Sequence, residues 1–342
     1  MAHNLATING LDAIAYLDQT PWHGLGQRLN LKDVPPAERI AAALKAANMD
    51  WNVGSLPLYL ADGTEVQGHK ASVRFDAAGL VAAQLGVVGA GYTHVSNAQA
   101  TDILQVLATE FGCVPASAGV LGNGERCWVL MRLADSKVTP LDGDDCNGYF
   151  LLSWGHDGQL AISGLASLIR VVCQNTLTAA TNGRKAWITV RHTTNAGARL
   201  DDAAKLMKTL MSTLQATGET FASMARKNLD ARGLQAFINA AIPNTTTTGP
   251  VSPVIVARRD TVARLVFYGR GAAMANQGAN VAAGEASIWA AYNAITEYVD
   301  HVRPAEAQSP EGLRKAHASA LFGGNADLKI GALQLARQLV AA

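Results

Sequence analysis

Charge is scarce in this chain. Only 16% of its 342 residues are Asp, Glu, Lys or Arg, aromatic residues make up 6%, and there are four cysteines. Each shortage excludes something. The 28 basic and 27 acidic residues leave a net +1, so no global field draws the chain to nucleic acid or to an acidic surface. Cys113, Cys127, Cys146 and Cys173 form no CxxC pair, and no His/Cys cluster has zinc-site spacing. No cofactor and no metal are therefore expected. No apolar run approaches the ~20 residues that span a bilayer. The start, "MAHNLATING", lacks a basic region followed by an apolar core. These absences read as a soluble cytoplasmic protein with reduced thiols and no membrane partner. Dinucleotide and P-loop fingerprints are missing too, because "GAGYTHVSNAQ" has too few correctly spaced glycines.

What the chain does have is apolar material, at 49%, enough for a substantial core. Its charge is unevenly spread. Residues 151–262 carry twelve Lys and Arg against six Asp and Glu, whereas residues 1–150 carry nine against fifteen. The middle third is thus the candidate anion-binding region. Asp62-Gly63, Asn123-Gly124 and Asp157-Gly158 each lie between strand-like runs and predict hairpins over 55–76, 114–133 and 149–163. "PPAERIAAALKAANM" (35–49) predicts a helix with Ile40, Ala43, Leu44 and Met49 on its apolar face. Ser96 and Gln99 make a capping-box pattern ahead of a helix that ends near Gly112. A long amphipathic helix is expected over 200–229, and helices again over 284–302 and 325–342. Hairpins are antiparallel by construction. The fold expected is α+β: an antiparallel sheet with helices packed on one face, plus a mostly helical C-terminal region. "PNTTTTGPVSP" reads as a linker, dividing a core domain (1–243) from the helical region (254–342) at residues 244–253.

Apolar residues at 165, 168, 169, 172, 173, 176/177 and 180 have helical spacing, so "SLIRVVCQNTL" reads as part of a core helix over 165–180. On such a helix Cys173 would face inward. Arg170, Gln174 and Thr178, each four residues apart, would form an outward polar stripe with Asn175 beside it. Arg184, Lys185, Trp187, Arg191 and His192 follow directly. Donors without carboxylates are what phosphate contacts require, and an aromatic such as Trp187 can stack a base. A competing set, Cys173 with His156, Asp157 and His192, would suit a thiol or His-Asp hydrolase if the residues met in space. Asp157-Gly158 is turn chemistry first, however. In "EYVDH" (297–301), Glu297 and His301 share a helix face at i, i+4. The order ExxDH favours ion pairing or capping over metal binding.

"TPWHGLG", "GHDG", "RVVCQNTL" with "RHT" soon after, and "WAAYNAITEYVDH…ALFGGNADLKIGALQLA" together resemble the phage/plasmid-like protein family described as domain of unknown function 932. The resemblance runs from about residue 18 to 340. Trp22, His23, Gly24, His156, Asp157, Gly158, Arg170, Cys173, Asn175, Arg191, His192, Asn293 and His301 fall in its motifs. It implies a gene of phages, prophages or plasmids in a bacterial host cell, and it supplies no catalytic residue. The function expected is nucleic-acid binding, as in single-strand DNA binding or annealing during recombination or replication, by a homo-oligomer. Its contacts would be Arg170, Gln174, Asn175, Arg184, Lys185, Trp187, Arg191 and His192. The alternatives are the hydrolase above and a structural or assembly protein of the element.

Overall fold

The computed structural model of the chain describes residues 7–8, 11–17, 27–160, 162–170, 176–178, 187–189, 196–244, 250–306, 309, 312, 319 and 324–342. Along the chain come β1 (Thr7–Ile8), β2 (Leu11–Asp12), β3 (Ile14–Leu17), β4 (Gln27–Leu29), α1 (Arg39–Ala46), β5 (Asn52–Tyr59), β6 (Glu65–Phe75) and β7 (Val81–Gly89). Next are α2 (Asn97–Ala100), α3 (Asp102–Glu110), β8 (Val114–Leu121), β9 (Arg126–Arg132), β10 (Val138–Leu141), β11 (Asp144–Gly155), β12 (Ser163–Arg170), β13 (Thr176–Thr178) and β14 (Trp187–Thr189). The rest is mostly helical: α4 (Ala196–Arg226), β15 (Asn228–Leu229), α5 (Ala231–Ala241), α6 (Pro253–Tyr268), α7 (Ala272–Ala275), β16 (Ala286–Ser287), α8 (Ile288–Glu297), a π turn over Tyr298–Val302, α9 (Arg303–Ala305) and α10 (Gly324–Ala341).

The protein is α+β. A nine-stranded sheet runs β13-β12-β11-β9-β8-β3-β4, with β14 also beside β12 and β10 beside β11. All its pairings are antiparallel except β3 with β4, which runs parallel from Ala15↔Gln27. A separate three-stranded sheet is ordered β5-β6-β7. All three Asx-Gly hairpins form where their turn residues lie. At Gly158 the backbone has φ +77°, a conformation that side-chain-bearing residues rarely adopt.

Alternation sorts the large sheet into two faces. Val129, Met131, Cys146, Phe150, Leu152, Trp154, Ala166 and Leu168 point to one, where they pack with α1, α3, α4 and α8 in the main core. That core is continuous into the C-terminal helices. Phe221 of α4 lies 4.7 Å from Trp289 of α8, whose indole donates to Asp144 Oδ2 of β11 at 2.8 Å. Ile14, Leu121, Trp128, Leu151 and Leu165 form a smaller cluster on the opposite face.

One expectation fails here. The segment read as a helix over 165–180 is strand at 163–170 and again at 176–178. β12 is buried on both faces, with Leu165 in one cluster and Ala166 and Leu168 in the other. A strand covered on both sides reads as an unbroken apolar run and mimics helical spacing.

Candidate nucleic-acid interface

The correction rearranges the expected contacts. Arg170 closes β12, its backbone paired with Cys146, and Trp187 opens β14 directly across from Leu165. Gln174, Asn175, Arg184, Lys185, Arg191, His192 and Cys173 lie outside the described residues, as do Trp22, His23 and Gly24. Chain order still locates all eight contacts. Residues 171–175 join β12 to β13, residues 179–186 join β13 to β14, and residues 190–195 join β14 to α4. Both β13 and β14 pair with β12, one on Ser167–Ile169 and the other on Ser163–Leu165. The helical polar stripe is gone, but its members belong to one edge of the large sheet. From Gly158 to Leu200 there is no Asp or Glu, and there are five cationic residues: Arg170, Arg184, Lys185, Arg191 and Arg199.

The sheet register extends this edge onto the face away from the main core. One row reads Tyr16, Ser117, Leu130, Leu151, Leu165 and the position of Trp187. The next reads Ile14, Gly119, Trp128, Ser153, Ser163 and the position of Thr189. A third brings Arg132, Tyr149 and Ser167 together, and a fourth Leu121, Arg126 and Gly155. The middle of the face is buried and apolar, while Tyr16, Arg126, Arg132 and Tyr149 are half-buried around it. Trp128 lies flat over the neighbouring strand, since a Cβ on Gly119 would stand 2.7 Å from its ring. Its indole N–H and the Nε of Arg126 are buried with no hydrogen-bond partner among the described residues. Aromatic rings and guanidinium groups around an apolar centre can stack bases and hold phosphates. Sequence reading missed Tyr16, Arg126, Trp128, Arg132 and Tyr149. They come from four different strands, and only the register assembles them.

The catalytic types near Asp157 are put to structural use. His156 is 1% exposed. Asn97 Nδ2 donates to Met49 O at 2.7 Å, and Asn97 Oδ1 accepts from Trp154 Nε1 at 3.0 Å. That oxygen stands 2.9 Å from His156 Nε2, which must therefore carry the ring proton. Nδ1 is left bare in a buried setting. Burial, aided by the charge of nearby His94, lowers the His156 pKa to about 4. Asp157 Oδ1 accepts from Gln159 N at 3.0 Å, an Asx-type turn contact. A further pair, Ser55 Oγ and His94 Nε2 at 2.8 Å, lies where the small sheet packs on this hairpin. There Ser72 Oγ donates to His156 O at 2.6 Å.

In the C-terminal region the ExxDH residues make separate contacts. Glu297 Oε2 accepts from Arg270 N at 2.8 Å, and Arg270 NH1 donates to His301 Nδ1 at 3.3 Å. Asp300 pairs with Lys329 at 2.8 Å, both side chains nearly inaccessible. Among the described residues no group of three or more His, Cys, Asp or Glu could hold a metal ion. Nor is any described helix long and apolar enough to cross a membrane.

A family model described as "Domain of unknown function (DUF932)" matches residues 84–321. No curated protein matches the chain, and no solved structure does.

Proposed function

This chain belongs to the DUF932 family, and on that footing we propose that it binds single-stranded nucleic acid as a phage- or plasmid-borne protein in the cytoplasm of a bacterial host. The strand runs along the β12–β14 edge of the large sheet. Arg170, Arg184, Lys185 and Arg191 neutralise phosphates. Gln174, Asn175 and His192 add neutral donors, and Trp187 stacks a base. Tyr16, Arg126, Arg132 and Tyr149 extend the contact onto the adjoining face.

The observation that carries this reading is the run from Gly158 to Leu200, which follows one sheet edge with five cations and no carboxylate. A chain of net charge +1 thereby presents a locally basic surface, which is what backbone-directed binding needs. Aromatic residues on the adjoining face favour a single strand, whose bases are free to stack.

The test is fluorescence anisotropy of a labelled single-stranded oligonucleotide, titrated over a range of salt and repeated with duplex. Each phosphate contact to a single strand contributes about −0.7 to the slope of log affinity against log salt, so four contacts predict a slope of about −3. The Arg170→Ala/Arg191→Ala double variant should bind more weakly and with a slope shallower by about 1.4. Absence of binding to either oligonucleotide at low salt overturns the proposal.

A further inference from the structure

We propose that β7 is a self-association edge, and that its partner is β7 of a second copy of this chain. The argument is independent of nucleic-acid binding. A sheet edge carries unpaired backbone donors and acceptors, and proteins guard such edges with charge, proline, brevity or cover. The described edges of the two larger sheets differ sharply in this respect. β4, β13 and β14 are three residues each. β5 carries Pro57, which has no N–H to offer, and its register shifts between Pro57 and Tyr59. β7 is nine residues long, contains neither proline nor charge, and pairs with β6 alone.

Its surroundings point to an identical partner. From Ala77 to Thr101 there is no Asp, Glu, Lys or Arg. A two-fold axis brings each strand against its own copy, so any charge on β7 would meet a like charge. An uncharged strand is the one kind that pairs with itself without that cost. The outward face of the small sheet is apolar as well. Leu56, Ala71 and Val87 form one row, with Leu56 38% and Val87 52% exposed, and Leu80 and Val81 are exposed at the start of β7. The other face is occupied, because Gly86 and Val88 pack on the Asp157-Gly158 turn. Two register shifts twist the first half of β7, but pairing from Gly86 to Gly89 is regular. The self-pairing segment is thus centred on Val87, and a two-fold copy would continue both the hydrogen-bond ladder and the apolar face.

Sedimentation of the full chain over a range of concentrations tests this. The wild type should show a reversible dimer or a larger assembly. Val87→Lys should raise its dissociation constant about tenfold or more, through lost apolar contact and like-charge repulsion across the axis. Hydrogen exchange supplies a readout that needs no variant: amides of Gly86–Gly89 should slow as wild-type concentration rises. A wild type that remains monomeric overturns the proposal. So does a dimer whose dissociation constant Val87→Lys leaves unchanged. If circular dichroism shows the variant misfolded, exchange decides, and concentration-independent exchange at Gly86–Gly89 overturns the proposal.

Discussion

At His156, geometry sets both the tautomer and the charge. The imidazole donates through Nε2 to an asparagine already committed to two other groups, and burial holds its pKa at about 4. In the unfolded chain the same group titrates near ~6.5. Between these values the unfolded chain binds more protons, so stability falls as pH drops through that window. The loss begins near pH 6.5, reaches about 3 kcal/mol by pH 4 and then levels off. Urea unfolding between pH 7 and pH 4 should show a falling midpoint, and His156→Gln should flatten that dependence. An unchanged pH profile in the variant would place the acid sensitivity elsewhere. Little of this was legible in the sequence. "GHDG" announces a turn, and the turn forms, but the partners that bury and orient the ring, Trp154 apart, stand far off, Asn97 being 59 residues away.

Elements were legible where their signal is local. Asx-Gly pairs fix hairpins because the backbone at the turn demands glycine, whatever the rest of the chain does. The capping box is equally local: Ser96 Oγ accepts from Gln99 N at 3.1 Å and Gln99 Oε1 accepts from Ser96 N at 2.9 Å. Ser96→Ala should cost about 1 kcal/mol in denaturant unfolding, the ordinary worth of an N-cap. A loss of several kcal/mol would mean that the box also holds Asn97 in place beneath Trp154 and His156. β12 failed because its signal is not local. Leu165 and Leu168 belong to opposite faces of a sheet, and a one-dimensional pattern cannot say that both faces are covered. The same limit hid much of the candidate interface. Arg170 and Trp187 were marked by residue type, but Tyr16, Trp128 and Tyr149 share a face only through pairings between strands distant in sequence.

At the scale of the whole molecule, the folded unit is larger than the stretch matched by the family, residues 84–321. β3 precedes that stretch and completes the large sheet, and α10 follows it. α10 is nonetheless part of the core, with Ala332, Leu333 and Ala336 fully buried. Polar ties also hold it: Lys227 Nζ donates to Leu339 O at 2.7 Å, Arg303 reaches Asn325, and Lys329 pairs with Asp300. The last tie dominates, because both charges are out of water. Removing one member of a buried pair leaves the other charged without its counter-ion, which costs about 3–5 kcal/mol, whereas replacing both by apolar groups costs far less. Lys329→Met should therefore destabilise the chain by about that amount, and Asp300→Leu/Lys329→Met should recover much of the loss. Hydrogen exchange should show where the strain goes: α10 amides exchange faster in Lys329→Met while those of β8 and β9 stay protected. A single variant within about 0.5 kcal/mol of the parent would mean that apolar packing alone seats α10, and that the buried pair only sets its register against the π turn.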